Sequence, residues 1–218
     1  MDYIFDERES TLLCEIMGRN QSDKGKKDII NSWHNYTTFY YSIFKDIREK
    51  QLRVFELGLG TNNVNIPSNM GESGRPGASL YGWSEFFPNS HIFGADIDNN
   101  ILFNTNKINT FFCDQTNPEI IRKMWNEPLL NKNFDIIIED GLHTFNANVC
   151  FFENSIHKLK SKGFFIIEDI LHSEKHLFDN KINEWKLKYN GMLFNFLSIP
   201  SKINNNDNNL LVVYNFGC

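Results

Sequence analysis

Cysteine is scarce, and the 4 that occur stand apart. Cys14, Cys113, Cys150 and Cys218 show neither the paired spacing of a metal site nor a disulfide framework. No apolar run approaches the ~20 residues of a membrane helix. The acidic start lacks the apolar core of a signal peptide. A basic excess is missing too: 22 Lys and Arg against 27 Asp and Glu leave a net charge of −5. That balance argues against a nucleic-acid surface as the main business of the chain. Together these absences predict a cytoplasmic protein with no nucleic-acid partner and no membrane insertion.

What is present suits a well-packed globule. Hydrophobic residues make up 41% with 20 Phe, and a 22% charged fraction is ordinary. A chain of 218 residues is expected to be a single domain, 1–218, with an N-terminal helical segment over 1–50 and the core over 51–218.

The organising stretch is 134–169. Phe134-Asp-Ile-Ile-Ile-Glu-Asp140 and Gly163-Phe-Phe-Ile-Ile-Glu168-Asp169 are apolar runs without polar alternation, as strands buried on both faces are. Between them Val149, Phe152, Ile156 and Leu159 recur at helical spacing. A strand–helix–strand unit of this kind crosses over right-handed and leaves its strands parallel. Both strands end in acid pairs, Glu139-Asp140 and Glu168-Asp169, on the edge where open α/β sheets bind ligands. Three or four carboxylates and His143 would meet there. Like charges so placed call for a shared proton or a cation, and oxygen ligands favour Mg²⁺, Mn²⁺ or Ca²⁺.

The rest of the chain extends the same pattern. Residues 7–17 form a short amphipathic helix, 21–27 a polar break, and an aromatic-rich helix starts near Trp33, His34 and Tyr36 and continues to Ile47. Its aromatics read as core, while His34 and the Tyr hydroxyls need polar partners. A strand from Arg53 closes on Glu56, Gly58 and Gly60, glycines that permit a sharp turn and close approach to a ligand. Residues 62–79 make a long loop with the length of a functional or mobile one. A helix opens near Ser79 and stops at Pro88. The next strand ends at Asp96, placed to accept both hydroxyls of a ribose, and a third ends at Asp114 and Gln115. A helix is expected over 120–130 and another over 178–189. Two last apolar runs, 192–199 and 210–216, form an antiparallel hairpin. The Asn-rich turn 204–209 between them looks solvated and without chemistry.

With these motifs assembled, nearly the whole chain resembles the class I S-adenosylmethionine-dependent methyltransferases. Within them it is most similar to metal-dependent sugar O-methyltransferases of the macrocin and mycinose type. Asp23-Lys24 followed by His34-x-Tyr36-Thr37, Gly77-Ala78-Ser79-Leu80, the passage from Phe86 to Asp96, Asp140-Gly-Leu-His143 and Ile167-Glu168-Asp169 carry the likeness. A cephalosporin-hydroxylase-like group shares some of them. The first glycine motif lacks a third glycine, and Ala78 stands where the family has glycine. The resemblance implies a Rossmann-like α/β fold of seven strands, parallel except the last. It implies S-adenosylmethionine held by Glu56, Gly58, Gly60, Ser79, Asp96, Asp114 and Gln115. It further implies Mg²⁺ on Asp140, Glu168 and Asp169, with Asp140 and His143 catalytic and His143 the general base.

The implied reaction is methyl transfer to a sugar hydroxyl on a small-molecule sugar or nucleotide-sugar, with a homo-oligomer left open. A composition heavy in Asn, Lys, Ile and Phe points towards capsular polysaccharide. Alternatives keep the fold and cofactor with a phosphoramidate or phenol as acceptor, or make the chain a non-catalytic nucleotide- and metal-binding partner of a biosynthetic enzyme. A scaffold would not need a base, however. An NAD-dependent oxidoreductase should show the third glycine that Thr61-Asn62-Asn63 does not supply.

Overall fold

The computed structural model describes residues 3–6 and 9–217. Glu7, the expected start of the first helix, and Cys218 lie outside the described residues. Seven strands, β1 (Arg53–Leu57), β2 (His91–Asp96), β3 (Ile108–Phe112), β4 (Phe134–Glu139), β5 (Leu159–Ile167), β6 (Met192–Ser198) and β7 (Asn209–Asn215), form one sheet in the order β3-β2-β1-β4-β5-β7-β6. β1 to β5 pair in parallel, and β7 runs antiparallel to both β5 and β6. The seven-stranded Rossmann-like fold with a closing hairpin is therefore the observed one.

Among the described residues six α-helices cover the two faces: α1 (Leu12–Arg19), α2 (Tyr36–Phe44), α3 (Ala78–Phe86), α4 (Pro118–Trp125), α5 (Phe145–Ser155) and α6 (Lys175–Lys188). Local chemistry sets several of their ends. Thr11 caps α1 by accepting from the Cys14 N–H, and Asn117 caps α4 with Pro118 in its first turn. The α4 helix stops at Trp125, short of the expected residue 130, because Pro128 cannot continue it and the chain tightens into a 3₁₀ turn at Pro128–Leu130. β5 starts earlier than expected, since Leu159 pairs with Phe134 across an irregularity in the ladder.

Strand periodicity decides which side of the sheet each residue serves. Ile137, Phe165 and Ile167 join Trp125, Phe151, Phe152 and Trp185 in the core beneath α4, α5 and α6. Ile136, Ile138, Phe164 and Ile166 join Tyr36, Phe39, Tyr40, Phe44 and Trp83 in the core beneath α1, α2 and α3. By the same parity Glu56, Asp140 and Glu168 belong to the α2–α3 side, and Glu139 to the other. The chain itself separates the members of each acid pair.

The Asn-rich turn departs from expectation. Asn204, Asn208 and Asn209 are buried. The Asn208 amide donates to the Asn35 Oδ1 and the Ile199 carbonyl, each at 2.8 Å, and Asn209 donates to the Ile170 carbonyl at 2.7 Å. Asparagine satisfies backbone groups that have no ladder partner, so the turn packs rather than floats.

Candidate active site at the carboxyl edge of the sheet

Strand order reverses between β1 and β4, and in open α/β sheets such a switch point holds the ligand crevice. Gly58 leaves β1 there with φ +89°, and a Cβ on it would lie 1.8 Å from the Asp140 carbonyl oxygen. The glycine is thus required by the neighbouring chain as well as by any ligand. Gly60, φ +74°, turns beneath Met70 of the loop that precedes α3; that loop ends at Gly77 rather than at the expected 79. A cavity of about 250 Å³ opens over this point, lined among others by Gly58, Gly60, Met70, Asp96, Gln115 and His143.

Asp140 and Asp169 meet at the cavity floor. One ligand atom each from Asp140, His143 and Asp169 can be chosen so that all lie within 4.8 Å of one another. His143 Nε2 stands 3.1 Å from Asp140 Oδ1 and 3.7 Å from Asp169 Oδ2. Both His143, at φ +57°, and Asp169, at φ +54°, hold a left-handed backbone that side-chain-bearing residues seldom adopt. Such strain persists where surrounding structure over-determines it, and it clusters at functional sites. It also explains how Asp169 turns towards the crevice just past the end of β5.

The aromatic helix start supplies the missing donors. Tyr36 Oη donates to Asp169 Oδ1 at 2.7 Å, and His34 Nε2 lies 3.3 Å from Asp169 Oδ2. Tyr40 Oη donates to Glu168 Oε1 at 2.5 Å. Lys24, buried, places its ammonium 2.5 Å from both Asp140 Oδ2 and Glu168 Oε2 and 3.7 Å from Glu56 Oε1. Burial opposes the Lys24 charge, yet Asp140, Glu168 and Glu56 hold its pKa well above the usual lysine value. Burial likewise opposes ionised Asp140, but Lys24 and His143 hold it well below the carboxylate range. For Glu168 burial wins over Lys24, with Asp140 and Glu56 adding to it, and its pKa rises well above the usual value. Burial would lower His143, but Asp169 and Asp140 outweigh it and carry the imidazole up to about 10.

The sequence-expected residues fall into two groups. Gly58, Gly60, Asp96, Asp114, Gln115, Asp140, His143 and Asp169 all line the cavity. Asp96 is set by the Leu59 N–H at 2.7 Å and the Asp98 N–H at 2.8 Å, and Gln115 bridges the Leu142 N–H and Glu139. Glu56, Ser79 and Glu168 stand outside the lining. Glu56 accepts from the Ser79 hydroxyl and from Trp83 Nε1, and so ties β1 to α3. Glu168 has both oxygens engaged, by Lys24 and Tyr40. Sequence reasoning missed Lys24 as a partner of the acids. The available signals were the excess of acids on one edge and the Asp23-Lys24 motif, which sets Lys24 apart from Lys26 and Lys27 without saying which groups its ammonium meets.

No protein-family model matches this chain. Among curated proteins it is 30% identical, over 158 residues, to the 8-demethyl-8-(2-methoxy-alpha-L-rhamnosyl)-tetracenomycin-C 3'-O-methyltransferase of Streptomyces olivaceus, covering 72% of this chain and 36% of that one. It is 30% identical to the L-olivosyl-oleandolide 3-O-methyltransferase of Streptomyces antibioticus, covering 74% of this chain and 38% of that one. The chain thus spans little more than a third of the length of these relatives. Among solved structures, the MycE methyltransferase of the mycinamycin pathway, in complex with Mg, SAH and mycinamycin VI, superposes with a TM-score of 0.70 at 21% identity. The match covers 95% of this chain and 55% of that one. Human methyltransferase-like protein 13, in complex with SAH, superposes with a TM-score of 0.54 at 16% identity, over 79% of this chain and 75% of that one. At these identities the superpositions establish the fold.

Proposed function

Because this chain belongs to the class I S-adenosylmethionine-dependent methyltransferases, we propose that it moves a methyl group from S-adenosylmethionine to a hydroxyl of a sugar. In this reading Asp140 and Asp169 hold a divalent cation and His143 is the general base. The observation that carries it is the meeting of Asp140, His143 and Asp169 at the floor of the cavity that Gly58, Asp96 and Gln115 also line.

The donor set fits Mg²⁺. Two aspartates offer hard oxygens, Tyr36 and His34 orient one of them, and the hydroxyl of an acceptor would add another. Glu168, the third expected ligand, would have to share an oxygen with Lys24 or Tyr40. When bound, the cation supplies positive charge that favours the acceptor's alkoxide and relaxes the two aspartates' hold on the His143 proton. The chain's own residues do the rest. Asp140 fixes the imidazole through Nε2, and the left-handed turn at His143 aims the ring into the crevice. Asp96, its carboxylate preset by two backbone N–H groups, is placed to accept the cofactor's ribose hydroxyls. Gln115 sets the Leu142 N–H and closes the adenine end. A sulfonium methyl is already activated, so the protein mainly aligns donor and acceptor.

For the acceptor, the relatives are named for glycosides of tetracenomycin and oleandolide, whereas composition alone supports capsular polysaccharide. We therefore confine the proposal to a sugar hydroxyl. No helix among the described residues is long and apolar enough to cross a membrane. The test is calorimetric titration of S-adenosylmethionine and its demethylated product, with Mg²⁺ and with chelator, followed by a mass-spectrometric screen of nucleotide-sugars, glycosides and capsular sugars. Micromolar binding and a gain of one methyl are expected, both Asp140→Asn and Asp169→Asn losing turnover while staying folded. Absence of cofactor binding under either condition refutes the transferase.

A further inference from the structure

We propose that Lys24 is a resident counter-cation of the acid centre, which offsets the charge of Asp140, bonds Glu168 and competes with a divalent ion for Glu168. The inference rests on the reading of these acids as a cation site. Its basis is where the ammonium sits and how it arrives. Lys24 Nζ lies within 4.0 Å of three buried or half-buried carboxylates, at 2.5 Å from Asp140, 2.5 Å from Glu168 and 3.7 Å from Glu56. Its neighbour Asp23 lines the cavity, whereas Lys24 does not, so the ammonium reaches the acids from behind. It takes Asp140 by Oδ2 and leaves Oδ1 to His143. It takes Glu168 by Oε2, while Tyr40 takes Oε1.

The arm is anchored rather than free. The Lys24 carbonyl accepts from the Thr37 N–H at 3.3 Å, and its N–H donates to Ser22 Oγ at 3.3 Å. Gly25 follows at φ +153°, where a Cβ would lie 2.1 Å from Thr37 Oγ1. The segment is therefore moulded onto the start of α2, the same helix that carries Tyr36 and Tyr40. A lysine held this way at three acids is a fixed part of the centre's charge.

Two consequences separate this role from simple packing. Buried carboxylates without a counter-charge are costly in desolvation and mutual repulsion, so loss of Lys24 should destabilise the protein free of metal. A divalent ion drawn to the same carboxylates must also share them with an ammonium of like sign, so loss of Lys24 should strengthen ion binding. A lysine that merely positioned the ligands would do the reverse and weaken binding when removed.

The experiment is Mn²⁺ titration, by calorimetry and by electron paramagnetic resonance, of the full chain and of Lys24→Met, without cofactor or acceptor. Thermal melts with and without Mn²⁺ accompany it. Lys24→Met is expected to bind Mn²⁺ on the order of tenfold more tightly, to melt lower without metal, and to gain more from Mn²⁺ than the unaltered chain does. The double variant Lys24→Met/Glu168→Gln, with one acid fewer, should recover metal-free stability. Equal or weaker Mn²⁺ binding by a folded Lys24→Met overturns the inference and leaves the cation-site reading standing. Failure of both folded chains to bind Mn²⁺ overturns the two together. Should Lys24→Met fail to fold alone, recovery in Mn²⁺ supports the role, and no recovery overturns it.

Discussion

His143→Gln in metal-free protein should flatten the alkaline side of the stability curve. The imidazole is raised from an ordinary 6.5 to about 10 by Asp169 and Asp140 against the opposing effect of burial. A group raised on folding contributes stability that is fully present below the unfolded value and is lost as pH climbs through the folded value. The window is therefore pH 6.5 to about 10. A displacement of that size corresponds to ~5 kcal/mol at ~1.4 kcal/mol per pH unit. The ring is 26% exposed, and water screening reduces the sum to ~2 kcal/mol. For a domain of this length ~2 kcal/mol moves Tm by ~4–8 °C. In chelator, melts from pH 6 to 10 should show the unaltered chain losing that much more than His143→Gln over the interval. Mg²⁺ should shrink the difference, because the dication answers the two aspartates in place of the imidazolium. Parallel curves in chelator would refute the assignment of the proton to His143 and with it the electrostatic account of the site.

Two further substitutions probe the frame of the site. Gly58→Ala brings a Cβ to 1.8 Å from the Asp140 carbonyl at φ +89°, so it should cost more than ~3 kcal/mol in chemical denaturation and weaken cofactor binding as Asp140 shifts; a cost under ~1 kcal/mol would contradict the contact. Tyr36→Phe removes the hydroxyl that Asp169 and the Asp207 carbonyl share at 2.7 and 3.0 Å. It should lower stability by ~1–3 kcal/mol and weaken Mg²⁺ binding, measured by calorimetry; unchanged metal affinity would show that His34 alone orients Asp169.

The strands and their acid ends were legible because short runs such as Phe134-Asp-Ile-Ile-Ile and Phe164-Phe-Ile-Ile, rich in β-branched and aromatic residues, suit a sheet covered on both faces. The meeting of Asp140, His143 and Asp169 followed from strand adjacency. What strand adjacency alone did not supply was the side on which each acid lands. Parity sends Glu139 to Gln115 and turns Glu56 towards Trp83 and Ser79, away from the cavity. That parity was readable from Val54 and Ile138 onward, but its meaning needed the helices to be assigned to faces. The acid partners of Lys24 and the burial of the Asn-rich turn were illegible for a different reason. Polar residues signal solvent by composition, and only tertiary contacts reveal that these are buried as partners for other polar groups.

The hairpin that ends the described chain also governs the order of assembly. β7 wedges between β5 and β6, and the turn before it meets His34 and Tyr36 across gaps of 174 and 171 positions. Contacts of such separation are entropically late, since the whole intervening chain must be gathered before they give any return. On a ribosome, Asp140 and Asp169 would emerge before Asn208, one of the side-chain partners of His34. The acid centre would then be the last region to mature, dependent on residues that touch neither ligand nor cavity. A chain truncated just after Asp169 would keep Asp140, Glu168 and Asp169 together with His34 and His143, yet lose the walls that hold them in place.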